Sequence, residues 1–193
     1  MDRIAQAASA DRAELFQNSA ECLRPQRSPA IVEKDFWVCW TLRRIYDVLR
    51  FRPQLIFKGG TSLSKAYNVI ERFSEDVDLS LSRQDLGFAD DRDPEQAGIT
   101  RKESRRRIDA LVAACEQAIC QRLVPELRAD FTSVLGATGW DVELDPQDAQ
   151  TVIFTYPRSE FSGGIPAFLR PAIRLELGAR SDDWPAEQRD IRP

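Results

Sequence analysis

Histidine is absent from the 193 residues, and that absence removes much chemistry. There can be no Ser-His-Asp triad, no imidazole general base and no His-ligated zinc. Any catalysis must rest on carboxylates, lysine, backbone dipoles or a bound ion. Cysteine is scarce. Cys22, Cys39, Cys115 and Cys120 form no C-x-x-C pair, which excludes a zinc ribbon or a thioredoxin-type redox site and leaves them to be read as buried free thiols. No apolar run approaches the ~20 residues that a membrane helix requires. The opening MDRIAQAASADRAELF lacks the basic-then-apolar layout of a signal peptide. A cytoplasmic protein without membrane contact is the expectation.

What is present is ordinary for a globular chain, with 42% hydrophobic and 30% charged residues. The length suits one domain over residues 1–193. The net charge of -4 argues against indiscriminate nucleic-acid binding. Charge is uneven, however: residues 1–72 carry 12 basic and 8 acidic side chains, and residues 73–193 carry 15 and 23. Such asymmetry is compatible with a polyanionic substrate at one surface.

N-terminal helices fill residues 1–50. The first is expected over 3–22, followed by a break at LRPQRSP and a second start at Ser28-Pro29, a capping hydroxyl followed by proline at the first helical position. Ile31, Asp35, Val38, Leu42, Ile45 and Leu49 then recur at helical spacing, so the second helix should cover a sheet. Within it, Glu33, Lys34 and Asp35 read either as a solvated or capping group or as a polar cluster lining a site. The core stretch, 51–82, holds a strand at Gln54–Lys58, a helix over 61–71 and a strand at Val77–Leu81. A polar, mobile loop is expected at 82–100 and a helix at 101–123. Within 140–178 come strands Trp140–Leu144, Thr151–Tyr156 and Ala172–Leu177, with turns at DPQDA and SGGIP. Strands interspersed with helices predict an α/β or α+β domain.

The stretch Lys58–Leu79, KGGTSLSKAYNVIERFSEDVDL, carries the chemistry. Its front half superficially resembles a Walker loop, G-x-x-x-x-G-K-[ST], but Ser64 stands where the second glycine is needed and Ala66 where the hydroxyl is needed. Two of four defining positions fail. The back half is more informative. Asp76 and Asp78, two apart on a strand, leave the same face, while Val77, Leu79 and Leu81 point into the core. Two such carboxylates repel unless something positive lies between them, and hard cations such as magnesium favour oxygen ligands. An isolated Asp-x-Asp is common as a solvated strand face. Here Gly59-Gly60 ends one strand and opens a helix at Thr61 and Ser62, where glycine allows close approach and backbone amides favour anions. If the two strands are neighbours, phosphate cradle and carboxylates face each other, the layout of metal-assisted nucleotidyl transfer. A third carboxylate could come from PAIRLELGAR, where Ile173, Leu175 and Leu177 alternate inward. Glu176 then faces outward beside Arg174, either as that acid or as an ordinary edge-strand ion pair.

Taken together, EKDFWV, KGGTSLSKAY, RFSEDVDLSL and RLELGAR resemble the AbiEii/AbiGii abortive-infection toxin family, MenT-like nucleotidyltransferases of the DNA polymerase beta-like superfamily. The resemblance covers roughly residues 28–82 and 170–180 and is specific, because the motifs occur in the right order. It implies a nucleotidyltransferase fold, a small mixed β-sheet flanked by helices. It also implies that Asp76, Asp78 and Glu176 form a metal-binding, catalytic triad for two Mg2+ ions, with Mn2+ as a substitute. Gly59, Gly60, Thr61 and Ser62 would hold the triphosphate, with Lys58, Lys65 and Arg72 as nearby cations and Ser74 matching the motif serine. The implied activity is transfer of NMP from an NTP to an acceptor hydroxyl, with the tRNA 3' end as acceptor. The implied setting is a type IV toxin–antitoxin or phage-defence system, with a cognate antitoxin as partner. Two alternatives stand beside it: transfer to a small molecule or protein, and a truncated, non-catalytic NTP-binding remnant. The remnant reading rests on a departure from the family, whose members continue past the acidic strand into a helical C-terminal region, whereas this chain stops at Pro193. A further expectation concerns RKESRRR at 101–107, either an RNA-backbone contact or a solvated helix face with Glu103 among the arginines.

Overall fold

The computed structural model describes residues 1–49, 51, 53–67, 69, 76–161, 170–181 and 186–191. The expected first helix is two: α1 (Asp2–Ala5) and α2 (Ser9–Cys22). The break is filled by Arg12, whose guanidinium donates to the carbonyls of Ala5 and Ala7 at the end of α1 and to Pro157 O at 3.2 Å. Backbone acceptors released where α1 ends thereby gain a partner from α2. Next, α3 (Pro29–Arg43) starts as its sequence dictates, with Ser28 Oγ accepting from Ile31 N at 3.3 Å and Pro29 in the first turn. A π-helical turn, Arg44–Val48, prolongs it.

Among the described residues, five strands form one mixed sheet. They are β1 (Leu55–Lys58), β2 (Asp76–Leu81), β3 (Asp141–Asp145), β4 (Asp148–Thr155) and β5 (Ala172–Gly178), in the order β1-β2-β5-β4-β3. Only β2 and β5 run parallel. The α/β character and the small mixed sheet flanked by helices are as expected. The edge-strand reading of Glu176 is corrected: β5 is the middle strand, hydrogen-bonded on both sides.

One face of the sheet is the core. Val77, Leu79, Leu81, Val142, Val152, Phe154, Ile173, Leu175 and Leu177 are all buried there, because alternation sends every second side chain inward. Helix α3 covers this face, as its periodicity predicts. Trp37 stacks on Tyr156 with centroids 5.6 Å apart, and Trp40 meets Phe154 and Phe131. Such aromatic pairs add to the area they bury. Two cysteines, Cys39 and Cys115, are in this core, but Cys22 and Cys120 are exposed, so the expectation of four buried thiols holds for only two.

Between β1 and β2 lies α4 (Gly59–Lys65), shorter than the helix expected over 61–71; residues 68 and 70–71 are outside the described residues. Segment 82–100 is anchored rather than mobile. Phe88 is buried, Gln54 N donates to Asp85 at 2.7 Å, and Arg83 Nε donates to Ala179 O at 3.1 Å. From the other side, Ser104 donates to Pro94 O and Arg107 to Asp93 O. Then α5 (Arg101–Ala118) continues through a π-helical turn, Ile119–Leu123, into α6 (Val124–Leu135). This last helix was not expected from the sequence. Pro125 reads as a breaker, yet it follows directly on the π-helical turn, where Val124 N already donates to Ile119 O five residues back and the regular ladder is interrupted. The expected turn at SGGIP lies outside the described residues. Among those described, no helix is long and apolar enough to cross a membrane.

Candidate functional site

Strand β1 ends at Lys58 and α4 begins at the next residue. That abrupt change requires Gly59, whose φ is +70°, a conformation open to glycine and strained for other residues. Space makes the same demand. A Cβ at Gly59 would stand 1.8 Å from Asp78 Oδ2 and 2.5 Å from Asp78 Cγ, so the backbone of the loop lies directly against the Asp78 carboxyl group. The two halves of KGGTSLSKAYNVIERFSEDVDL therefore meet in space.

Register extends this contact across the sheet. Lys58 on β1 is paired with Asp78 on β2, and Asp78 with Glu176 on β5; one row away, Asp76 is paired with Arg174. Asp76, Asp78, Arg174 and Glu176 all leave the face opposite the core, since Val77, Leu79, Leu175 and Leu177 are buried on the other. Partial burial and the neighbouring Asp76 push the Asp78 carboxyl above its ordinary pKa. Asp78 is thus short of positive charge.

Arg174 brings positive charge to these acids. Its Nη1 donates to Asp145 Oδ2 at 2.8 Å, while its Nε stands 3.8 Å from Asp76 Oδ1 and 3.7 Å from Glu176 Oε1. Asp145 ends β3 and is fixed from the far side, its Oδ1 accepting from Gln147 N at 2.9 Å. Those two contacts, the Gln147 N–H first, lower its pKa. The sequence reading placed Asp145 in a plain turn. The hairpin instead closes tightly, Asp145 pairing with Asp148, and brings Asp145 to the acidic face. Nothing local in DPQDA reveals that.

The remaining expected residues divide. Thr61 and Ser62 are buried, and their hydroxyls hold the loop itself: Thr61 donates to Asp76 O and Ser62 to Gly59 O at 2.8 Å. Gly60 follows in the first turn of α4, where backbone N–H groups lack intrahelical partners. Lys65 forms an ion pair with Asp35 of α3, which turns the EKDFW carboxylate toward α4. Glu33 from the same run is buried and accepts from Ser159 N at 2.8 Å. Lys34 is buried too. Arg72 and Ser74 lie outside the described residues. RKESRRR behaves as a self-paired helix face: Glu103 accepts from Arg106 and Arg107, which hold its pKa down at about 2, and Arg105 pairs with Asp109. A cleft of about 1500 Å³ opens beside the site, lined among others by Tyr46, Phe57, Lys58, Ser62, Tyr67 and Arg189.

Whether the acids fit a divalent cation is decided by donor chemistry and placement together. Three carboxylates on one face of adjacent strands, one of them raised in pKa by burial and a like charge, are the donors that Mg2+ or Mn2+ prefers. Yet among the described residues no three such side chains are gathered closely enough to hold an ion as they stand. The donor set fits, and closing it on an ion would require the carboxylates to draw inward from Arg174.

Against solved structures, the chain resembles MenT4, a nucleotidyltransferase toxin from Mycobacterium tuberculosis H37Rv. They share 19% identity over 88% of this chain and 44% of that one, at a TM-score of 0.39. The chain thus spans under half the length of that relative, and so loose a likeness transfers no residue roles. No curated protein sequence matches. A family model described as nucleotidyl transferase AbiEii toxin, type IV TA system, matches residues 40–193, a span that includes α4, all five strands and the acidic positions Asp76, Asp78, Asp145 and Glu176. The chain belongs to the AbiEii nucleotidyl transferase toxin family.

Proposed function

We propose that this chain, as a single domain over 1–193, transfers a nucleoside monophosphate from an NTP to an acceptor hydroxyl. The observation that carries the reading is the contact of the Gly59 backbone with the Asp78 carboxyl group, in register with Glu176. Asp76, Asp78 and Glu176 would hold two Mg2+ ions, or Mn2+ in their place. Bound there, the ions would activate the acceptor hydroxyl and offset charge on the departing phosphates.

The chain's own residues do the positioning. Gly59 and Gly60 present backbone to the triphosphate at close range, and Thr61 and Ser62 keep that loop rigid. Lys58 and Lys65 complete the phosphate side, a role Arg72 and Ser74 would share, and the cleft beside Lys58 and Ser62 supplies room for the rest of the nucleotide. The acceptor oxygen then bonds to the α-phosphorus in line as the bond to the β-phosphate oxygen breaks. Pyrophosphate departs, and the acceptor's proton passes to solvent. Family membership supports a toxin of a type IV toxin–antitoxin system; a cytoplasmic setting, a cognate antitoxin and tRNA as the acceptor complete the proposal.

The test is α-labelled NTP with Mg2+, offered separately to total tRNA, protein and small-molecule fractions. Label should enter the tRNA and be lost with Asp76→Ala or Asp78→Ala. Label in another fraction would replace tRNA as acceptor, and no label in any fraction would sink the transferase reading. Expression should arrest growth, with Asp78→Ala relieving the arrest.

A further inference from the structure

The acidic face contains one contact that nucleotidyl transfer does not explain. Arg174 stands between Asp76 and Glu176, yet it hydrogen-bonds neither. Its one short bond is to Asp145, and both acids are held at 3.7–3.8 Å from Nε. A guanidinium free to move would close on a carboxylate with paired bonds of about 2.7–2.9 Å. Something restrains it. Asp145 cannot follow Arg174 toward the acids, because its other oxygen is fixed by the Gln147 amide at the tight end of the β3–β4 hairpin.

We propose that Asp145 is a positioning residue that tethers Arg174 away from the acids and so sets their affinity for a divalent cation. The inference rests on the reading of Asp76, Asp78 and Glu176 as cation ligands. Arg174 competes for the same carboxylates, because a bound ion and a bidentate guanidinium use the same oxygens. With the tether intact, Arg174 steadies Asp76 and Glu176 through space without occupying their lone pairs. With the tether cut, it closes on them and the ion must displace it. Asparagine at 145 is the most discriminating change: Oδ1 still accepts from Gln147 N, but an NH2 group replaces the oxygen that faces the guanidinium.

The experiment is calorimetric titration of Mn2+ into the full chain, in wild type, Asp145→Asn, Arg174→Gln, the double variant and Asp78→Asn. Asp145→Asn should weaken Mn2+ binding roughly tenfold, the low end for loss of a group supporting a metal ligand. Arg174→Gln should tighten it, and the double variant should behave as Arg174→Gln. A contact that only supports the fold would weaken binding in all three, so the opposite signs are diagnostic. Asp145→Ala, which removes the acceptor without adding a donor, repeats the test if the asparagine variant does not fold. Binding that Asp78→Asn abolishes but Asp145→Asn leaves unchanged overturns the tether and spares the site. Wild-type protein that shows no saturable binding overturns the site and the tether together.

Discussion

Arg44 and Arg174 each stand among several carboxylates, and their surroundings differ in an instructive way. Arg44, where α3 runs into its π-helical turn, spends its fork on Asp130 of α6, with Nε donating to Oδ2 at 2.7 Å and Nη2 to Oδ1. Asp2 stands at 3.4 Å from Nη1 and also accepts from Trp40 Nε1. The Arg44 and Asp130 side chains are only 9% and 10% exposed. Arg174 has one short bond, and it, Asp76 and Glu176 are 42%, 47% and 44% exposed. The first cluster is closed and satisfied, which is what a buried charge requires. The second is open, with carboxylate oxygens left over. A cluster whose donors and acceptors are used up holds helices together; one with acceptors left over on a wet face is available to a ligand.

The comparison can be broken at either end. The largest expected effect is on transfer: Asp76→Ala should lower the rate by about 10²–10³-fold, the usual consequence of losing one electrostatic stabiliser of the transition state. Its denaturation midpoint should stay near the wild-type value. Next is Arg44→Ala, which leaves Asp130 buried without its fork and should cost about 3–5 kcal/mol by urea denaturation. Arg174→Gln, changing an outwardly similar cluster, should stay within about 1 kcal/mol by the same measurement, because half-exposed pairs contribute little. Equal losses from the two arginine variants would erase the distinction between the clusters. Gly59→Ala comes next. Alanine at φ +70° costs about 1–2 kcal/mol, and its Cβ must displace the Asp78 carboxyl, so transfer should fall toward the level of an Asp78 variant.

The smallest effect concerns a third charged group, Glu33, with Ser159 N and Arg12 about it. Burial raises its pKa above the ordinary value, only partly countered by the Ser159 hydrogen bonds and by Arg12. The folded state therefore holds the proton more tightly than the unfolded chain. Its contribution to stability is largest at acid pH, and is lost as pH rises from the ordinary glutamate range through the raised value. Glu33→Gln keeps an acceptor for Ser159 N and should flatten that part of the stability–pH curve. An unchanged slope would mean that Glu33 carries no such linkage.

The core and half of the site were legible in the sequence for one reason: both depend on alternation within short strands. Asp76, Asp78 and Glu176 could be assigned to one face because Val77, Leu79, Leu175 and Leu177 claim the other, and the Gly59 turn marks where β1 must stop. What was not legible depends on contacts far apart in the chain. Asp145 reaches the acids only because β5 inserts between β2 and β4, a strand order that no local pattern encodes. Asp35 could be read as solvent-facing or site-lining until Lys65 was seen to meet it. Helix α6 is not legible because Pro125 reads as a stop, and only the π-helical turn at Ile119–Leu123 lets the helix run on past it. Loop 82–100 looked mobile from its polarity, but its polar groups are used in anchoring bonds to the ends of β1 and β5 and to α5.

The most direct test of the central claim, that the face of Asp76, Asp78 and Glu176 performs nucleotidyl transfer, is label incorporated into tRNA from α-labelled NTP. It should be measured side by side for wild type and for Asp78→Ala of matched circular dichroism. Mg2+-dependent incorporation by wild type and none by the variant is the predicted result. Equal incorporation by both proteins would contradict the account.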